Sequence, residues 1–433
     1  MKGLIWFRND LRMDDNPALR NACIECEEVQ AIYIFSSRQN NLHNEANCKI
    51  EFLIENLKIL DQDLSKINIP LTIIDSTGFN DNKDIILNLI KDRSINKVFW
   101  NNQFGNDEQN RDDNVTRSLK KNGIEFSSYH EKVIFSPGSI RTAEDKPYSV
   151  FTPFKKKWIE NFNLDLLDIE FKYLSKKKTL IESNIFDFKF KYKRNHSVDM
   201  SLWPPGEAHA KDRLKLYLSN KILRYSQDRN DPIVDGTSRI SAYLANGIIS
   251  PKRCILEALK INNFELDTGE KGITKWIDEI IWREFYKNIM FCFPRVSQKK
   301  PFQDYTNKIK WRYEESEIDA WKNGNTGFPI IDSAMKQLKS EGWMHNRLRM
   351  VVAMFFTKNM LHDWRIGEEF FMQNLIDGDF SSNNGGWQWS SSTGTDAAPY
   401  FRIFNPLTQS KNFDGEGLFI KKHLKKLKDV DKK

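Results

Sequence analysis

A carboxylate lies among tryptophans in the segment WIDEIIWREFY. Trp276, Glu279 and Arg283 follow one another at offsets 0, +3 and +7, which places them on one stripe of a helix, and Trp282 borders that stripe. Partial burial raises the pKa of such a carboxylate and suits it to hydrogen bonding or proton donation. The stripe therefore predicts either an internal ion pair or a site that presents Glu279 to a bound molecule.

A second helical stripe and two polar runs also contain residues that could bind a ligand. In EGWMHNRLRM, Trp343, Asn346 and Met350 repeat the same offsets, and an amide between large apolar groups is suited to the edge of a planar amide or base. The stretch 377–406, DGDFSSNNGGWQWSSSTGTDAAPYFRIFNP, is too polar for a core helix and favours a loop that forms a site. The run GTSRIS at 236–241 suits either a diphosphate or an ordinary helix N-cap.

Tryptophan is concentrated in one part of the chain, since eight of the twelve lie between residues 276 and 389. Each buried indole N–H needs a partner, so core packing alone rarely uses so many. Stacking against a flat aromatic ligand or against nucleobases would use them. The distribution leaves two alternatives, a tryptophan-rich core and an aromatic binding site.

Periodicity predicts the elements that must position these groups. Residues 1–130 alternate short apolar runs with helical segments such as 46–66 and 107–122, which is typical of a parallel, doubly wound α/β domain. The predicted strands are GLIWF (3–7), VQAIYIF (29–35), PLTIID (70–75), KVFWNN (97–102) and IEFSSYH (124–130). Neither G-x-G-x-x-G nor G-x-x-x-x-G-K-[ST] occurs there, which argues against a standard dinucleotide or triphosphate site.

The rest of the chain is predicted to be a linker followed by helices. Residues 131–205 are rich in lysine and are broken by Pro204-Pro205, so we expect a surface-running linker. Residues 206–433 are predicted to form an all-helical domain, because amphipathic segments follow one another. The clearest are DRLKLYLSNKIL, RCILEALKI, KWIDEIIWREFYKNIMF, PIIDSAMKQLKS and NRLRMVVAMFFTKNML.

Composition excludes several classes of protein. With 433 residues, 39% of them hydrophobic and 29% charged, the chain can bury a sizeable core, which excludes disorder and a disulfide-stapled miniprotein. No apolar run approaches the roughly 20 residues that cross a bilayer, and the opening MKGLIWFRNDLR is no signal peptide. Five scattered cysteines fit a reducing compartment, and the C-x-x-C of Cys23 and Cys26 has no second pair or nearby His that would complete a zinc site. We expect a cytosolic protein without a metal or a membrane partner.

Net charge points weakly to a polyanionic partner. Basic residues exceed acidic ones by seven, and the whole excess lies in residues 201–433. Nucleic acid would favour such a surface. The tail KKHLKKLKDVDKK supplies five of these charges, however, and a solvated basic tail explains them equally well.

Nearly the whole chain resembles one family. LIWFRNDLRMDDNPAL, GTSRISAYLANGIISP, WREFY, TGFPIIDSAMKQL, GWMHNRLRM and the stretch 377–406 are similar to segments of the photolyase/cryptochrome family, most closely of the class I cyclobutane pyrimidine dimer photolyases of bacteria. The resemblance implies an antenna-binding α/β domain and a helical domain that binds FAD folded in a U. It also implies a monomer that repairs UV-damaged DNA under blue light.

The resemblance assigns a set of residues to FAD. They are Tyr225, Thr237, Ser238, Arg239, Ile240, Ser241, Trp276, Arg349, Asp377, Asp379 and Asn383. Asn383 would face the reactive ring nitrogen of the isoalloxazine, where an uncharged amide supports the fully reduced anionic flavin that repair needs.

Other residues are assigned by the resemblance to the lesion, which would be flipped out of the duplex. An excited flavin would give an electron to the dimer and recover it after the ring splits, while Glu279 stabilises the charge. The residues implied in catalysis are Glu279, Asn346, Asn383, Trp282, Met350 and Trp389. Those implied in DNA binding are Arg229, Glu279, Trp282, Arg283, Asn346, Arg347 and Arg402.

Two further features follow from the resemblance. Trp387, Trp364 and Trp311 match the family's chain of indoles, which reduces oxidised flavin in the light. The (6-4) photolyases carry two histidines on the helix that matches 346–350, where this chain has Asn346 and Met350. The resemblance therefore favours cyclobutane dimers as substrates.

The sequence allows alternatives for the antenna ligand and for the exact activity. His43 and Glu108 match folate-contacting positions, so a methenyltetrahydrofolate antenna is expected, although Asp107 and the Ser297-Gln298 pair depart from the family pattern. A deazaflavin or no antenna are the alternatives. A blue-light photoreceptor of the cryptochrome type is an alternative function, which the sequence disfavours because it ends soon after FDGEGLFIKKHL without a signalling extension. Repair of single-stranded DNA, as in the DASH type, is the second alternative function.

Overall fold

The computed structural model describes residues 1–193 and 197–430, and the chain begins with a parallel sheet in the order β3-β2-β1-β4-β5. The strands are β1 Lys2–Phe7, β2 Glu28–Phe35, β3 Leu71–Asp75, β4 Lys97–Asn101 and β5 Glu125–Tyr129. The helices among them are α1 Pro17–Glu25, α2 Ser37–Leu42, α3 Asn47–Ser65, α4 Asn82–Arg93 and α5 Asn106–Lys121. All five predicted strands are confirmed.

Both faces of the sheet are covered by helices. Ile5 and Phe7 of β1 pack with α1 and α3, whereas Leu4 and Trp6 of the same strand pack with α4 and α5. Strands that are buried on both faces read as continuous apolar runs, which is why the sequence predicts them well. The doubly wound α/β arrangement is confirmed.

Part of the segment after the sheet packs into the core, whereas the sequence predicts a linker that runs over the surface. It contains α6 Phe151–Asn161, in which Phe154 and Trp158 are buried. These two side chains are four positions apart and share one helix face, so the lysines between them point elsewhere. The predicted domain boundaries at 130 and 205 stay predictions, and Arg194 of this segment lies outside the described residues.

A buried carboxylate fixes this segment to the helical part of the chain. Glu284 accepts hydrogen bonds from the backbone N–H groups of Ile134 and Phe135 at 2.6 and 3.0 Å. It also accepts one from Trp158 Nε1 at 2.8 Å. The neighbouring Arg283 donates to the carbonyl oxygen of Lys132 at 2.5 Å. Part of the WREFY motif therefore binds the chain's own backbone.

The remaining described residues are helical, as the periodicity predicts. The helices are α7 Glu207–Asn220, α8 Tyr225–Asp228, α9 Ser241–Ala245, α10 Pro251–Ile261, α11 Lys271–Cys292, α12 Glu315–Asn323, α13 Pro329–Glu341, α14 Asn346–Met354, α15 Trp364–Met372, α16 Phe380–Ser390, α17 Pro406–Phe413 and α18 Leu418–His423. Over residues 1–193 and 197–430, no helix combines the length and apolarity that a bilayer span requires. The last three residues of the basic tail lie outside the described residues.

The stretch 377–406 contains a helix, α16, where the sequence predicts a loop. Its polar side chains satisfy one another inside the core: Gln388 Nε2 donates to Asn384 Oδ1 at 2.9 Å, and Gln388 Oε1 accepts from the Phe302 amide at 2.8 Å. Asp379 caps the helix by accepting from the Ser382 amide at 3.1 Å. A buried polar group costs little when it is hydrogen-bonded, so polarity alone was misleading here.

Replacing Glu284 by Gln is expected to lower the melting temperature, because an amide NH₂ group would then face one of the three donors. A buried donor without an acceptor costs about 1–3 kcal/mol. Differential scanning fluorimetry measures the change, and Glu182→Gln, at an exposed position of the same segment, is the matched control. Equal melting temperatures for the two variants would contradict the role of Glu284.

Candidate functional site

Four helices bring most of the predicted residues together. α11 packs against α8 and α16, and α16 also packs against α14. The predicted residues on these helices are Tyr225 on α8, Trp276, Glu279, Trp282 and Arg283 on α11, Asn346, Arg347, Arg349 and Met350 on α14, and Asn383, Trp387 and Trp389 on α16. Helices that are far apart in the sequence thus pack side by side and carry these residues.

Glu279 forms an ion pair with Arg229, whose Nη1 lies 2.8 Å from Oε1 of the carboxylate. Their side chains nevertheless keep 30% and 26% of their surface exposed. Surrounding protein removes enough water to raise the pKa of Glu279, although Arg229 opposes the shift. The ion-pair alternative is therefore confirmed, and the carboxylate still has an exposed side for a ligand.

Trp282 is a rigid, partly exposed indole. Phe151, from α6, stacks on it with ring centroids 3.6 Å apart and an interplanar angle of 7°. One face of Trp282 is therefore covered, and a planar ligand has only the opposite face available. Trp389 on α16 is also partly exposed. The sequence showed no signal for Phe151, because this residue contacts Trp282 across more than 100 positions.

The beginning of α14 holds a cluster of positive charge around a neutral histidine. Asn346 is exposed, and the preceding His345 is buried, with Nδ1 accepting from the Arg347 amide at 3.3 Å. Burial lowers the pKa of His345 to about 3, and Arg347 and Arg349 add to the shift. Arg347 itself donates to Asn230 Oδ1 at 2.7 Å. The cluster is suited to an anion.

The GTSRIS run lies beside this cluster. Arg239 adopts the left-handed region, with φ 48°, and its guanidinium lies 4.6 Å from the ring centroid of Trp343. It pairs with Glu341 at 3.2 Å. Ser238 Oγ accepts a hydrogen bond from Trp276 Nε1 at 3.3 Å. Thr237 and Ser241 are partly exposed and Ile240 is buried.

Two aspartates before α16 pair with cations on different helices. Arg349 donates to both carboxylate oxygens of Asp377, at 2.8 and 3.0 Å. Asp379 pairs with Lys287 of α11 at 2.5 Å. Burial opposes its ionisation, yet Lys287 and Arg283 hold the pKa of Asp379 well below its usual range. These pairs tie the loop between α15 and α16 to α14 and to α11.

Asn383 is oriented by the neighbouring helix. Its Nδ2 donates to the backbone oxygen of Glu368 at 2.9 Å, which leaves Oδ1 for another donor. The side chain of Glu368 is buried, and burial raises its pKa to about 7. The sequence analysis missed Glu368, although an acidic residue in the apolar stripe of WRIGEEFFM is a detectable signal.

The three indoles predicted to form a chain lead from the interior towards the surface. Trp387 and Trp364 are buried and Trp311 is partly exposed. α15, which begins with Trp364, packs against α16, which carries Trp387. The backbone amide of Arg312, next to Trp311, donates to the Leu361 oxygen at 2.8 Å. Leu361 lies in the segment before α15. Trp321, which was not predicted, lies 5.9 Å from Trp387.

The residues predicted for an antenna meet at an open cleft in the α/β domain. His43 lies 3.3 Å from a carboxylate oxygen of Asp107 and 3.6 Å from one of Glu108. His43 and Glu108 line the cleft, whereas Ser297 and Gln298 do not.

In the described part of the chain, no cluster of three or more His, Cys, Asp or Glu side chains could hold a metal ion.

The arginines predicted to contact DNA differ in their surroundings. Arg402 is exposed in the loop after α16, and Arg229 and Arg347 are partly exposed. Arg283 differs from them, since its guanidinium is occupied by the backbone oxygens of Lys132 and Leu244. The guanidinium of Arg283 is therefore directed to the chain's own backbone.

Comparisons with known proteins agree with this geometry. Family models described as "DNA photolyase" and "FAD binding domain of DNA photolyase" match residues 3–172 and 276–433. A deoxyribodipyrimidine photo-lyase of Escherichia coli is 40% identical over 99% of this chain and 89% of its own. One of Buchnera aphidicola is 41% identical over 99% and 88%. The crystal structure of a bacterial class III photolyase from Agrobacterium tumefaciens superposes with a TM-score of 0.91 at 30% identity, covering all of this chain and 88% of the other.

Proposed function

The chain belongs to the DNA photolyase family, and we infer from that premise that it is a deoxyribodipyrimidine photo-lyase, which splits cyclobutane pyrimidine dimers in DNA with light. Identity of about 40% over nearly the full length supports this activity. The observation that carries it in the structure is the partly exposed carboxylate of Glu279, which lies on the same helix as Trp282 and is held by Arg229.

The residues at the site fit FAD. Near the GTSRIS run, Arg239 Nε and His345 Nε2 are buried donors that have no hydrogen-bond partner among the described residues, although Asp235 Oδ1 lies 3.9 Å from Arg239 Nε. Because Nδ1 of His345 accepts a hydrogen bond, Nε2 carries the proton. Both donors are suited to the diphosphate of FAD, next to the hydroxyls of Thr237 and Ser241. When bound and reduced, FAD supplies on excitation the electron that opens the dimer, and it recovers that electron afterwards.

Asn383 would hold the reactive edge of the flavin without adding charge. Because its Nδ2 is fixed on Glu368, Oδ1 would accept a hydrogen bond from an N–H group of the reduced ring. Asp377 and Asp379 would line the same side, with Tyr225, Ile240 and Trp276 as apolar contacts. A neutral amide that accepts here would stabilise the reduced ring.

Glu279 and Asn346 would recognise the edges of the dimer. A carboxyl group with a raised pKa can hold a proton and donate it to a pyrimidine carbonyl oxygen as negative charge develops there. The side-chain amide of Asn346 is exposed and offers both a donor and an acceptor to an imide edge. Trp282 and Trp389 would stack on the two rings, and Met350 would pack beside them and exclude water.

Three arginines would bind the phosphates that flank the lesion. Arg229, Arg347 and Arg402 retain exposed surface. Tyr400 and Phe401, which are 82% and 72% exposed, lie directly before Arg402. Exposed aromatic rings at a binding surface can insert between bases and fill the gap that a flipped nucleotide leaves. We propose this use for Tyr400 and Phe401.

The buried-to-exposed order of Trp387, Trp364 and Trp311 supports a path that reduces the oxidised enzyme in the light. An electron would move inward along the three indoles, and the hole would reach Trp311, from which an external reductant such as a thiol removes it. Indoles are suited to such steps because they are readily oxidised.

The α/β domain is proposed to hold a methenyltetrahydrofolate antenna. His43 and Glu108 line a cleft with Arg8 and Arg111, so a ligand with polar edges would be well bound. Ser297 and Gln298 contribute nothing to this cleft, which weakens the match to the folate pattern. The monomeric state and the cytosolic location also stay predictions.

Glu279→Gln is expected to lower the repair yield about tenfold or more, because an amide cannot give a proton to the pyrimidine carbonyl oxygen as negative charge develops there. FAD content should stay unchanged. Repair under blue light is measured on duplex and on single-stranded oligonucleotides, and Glu270→Gln, at the exposed start of the same helix, is the matched control.

The outcomes of this experiment distinguish the role of Glu279 from the activity of the protein. Equal repair by E279Q and E270Q would remove the proposed role of Glu279. Absence of repair by the unmodified protein on both substrates would contradict the proposed activity and favour a photoreceptor. Repair of the single strand alone would favour an enzyme of the DASH type.

Trp387→Phe is expected to abolish light-driven reduction of the oxidised enzyme while chemically reduced enzyme still repairs DNA. Trp100→Phe is the matched control, since both indoles are buried and neither Nε1 has a partner within the described residues. Flavin absorbance under illumination measures the reduction. Loss of repair by the chemically reduced W387F enzyme, or reduction at the rate of W100F, would contradict the path.

A further inference from the structure

The loop that carries two of the proposed flavin residues is held by the other domain. The segment 44–49, which leads into and begins α3, contacts residues 373–378 at three points. Gln373 Nε2 donates to Asn44 Oδ1 at 3.0 Å, and Cys48 Sγ lies 3.7 Å from the Asn374 oxygen. The third contact joins Lys49 Nζ to the backbone oxygen of Gly378 at 2.7 Å.

The contact of Lys49 differs from the other two because it involves a buried charge. Lys49 is 5% exposed, so its ammonium group is almost fully removed from water. Its second partner is Glu45, one turn earlier, at 2.6 Å. A buried charge must be compensated by good partners, and among the described residues the ammonium group contacts the Gly378 oxygen and the Glu45 carboxylate. The ammonium group therefore fixes the direction of that carbonyl group.

Gly378 lies between the two aspartates of the loop. Asp377 is directed to Arg349 on α14, and Asp379 is directed to Lys287 on α11. The peptide group that joins Gly378 to Asp379 carries the oxygen that Lys49 holds. A rotation of this peptide would move the carboxylates away from their cations and would disturb the N-cap of α16, which carries Asn383.

We propose that Lys49 is a positioning residue for FAD: from the α/β domain, it sets the conformation of residues 377–379 and thereby the flavin side of the site. The inference rests on the proposed function, because it takes residues 377–379 to contact FAD. It makes the α/β domain a structural part of the flavin site, besides any antenna that this domain binds.

The test compares Lys49→Met with Lys58→Met in full-length apoprotein titrated with FAD. Lys58 lies on the same helix and pairs with Glu55 at 2.8 Å, and its side chain is partly exposed. The dissociation constant of K49M for FAD should rise about tenfold, and that of K58M should equal the unmodified protein's. The visible circular dichroism of bound FAD should change in K49M only. Lys49→Arg, which keeps a cation, should recover most of the affinity.

The results separate this inference from the proposed function. Equal dissociation constants and spectra for K49M and K58M would overturn the role of Lys49, whereas repair by the unmodified protein would still support the activity. A protein that repairs nothing would contradict the activity itself. If K49M does not fold, Glu45→Gln is titrated instead, because it removes the ion pair that helps to hold the Lys49 ammonium group beside the Gly378 oxygen. An unchanged affinity and spectrum of E45Q would then overturn the inference.

Discussion

Charge pairing between helices is the constraint on which the site depends. A polar region inside a helical domain is stable only if its charges are compensated, and the pairs that do so join separate parts of the chain. They are Glu279 with Arg229, Glu341 with Arg239, Asp377 with Arg349 and Asp379 with Lys287. Nearby, Arg239 Nε and His345 Nε2 have no hydrogen-bond partner among the described residues, so both can donate to a further acceptor.

The central helix α11 connects this site with the rest of the molecule. Its residues serve different partners in succession: Trp282 contacts Phe151, Arg283 donates to the Lys132 oxygen, and Glu284 receives three donors from the segment after the sheet. Site geometry and packing of that segment thus depend on adjacent residues of one helix. A motif that reads as purely functional in the sequence is therefore partly structural, which is why the guanidinium of Arg283 is directed to the chain's own backbone.

Sequence patterns predicted the strands and helices that short-range apolar periodicity determines. They missed the contacts between residues that lie far apart in the sequence. The five strands and most helices follow from apolar spacing. Helix α16 did not, because Asn384 and Gln388 are buried but satisfied by one another and by Phe302. The individual site assignments came from resemblance and remain proposals, although the structure brings most of them together. Phe151 and Lys49 act on residues more than 100 positions away, which no local pattern records.

Arg239 Nε and His345 Nε2 are the proposed hydrogen-bond donors to the diphosphate of FAD. Calorimetric titration of the apoprotein with FAD and with riboflavin, which has the same ring system but no diphosphate, tests this claim most directly. FAD should bind at least 100-fold more tightly, since several charge-assisted hydrogen bonds of about 1.5–3 kcal/mol each would be lost with riboflavin. Equal affinities, or no binding of FAD, would contradict it.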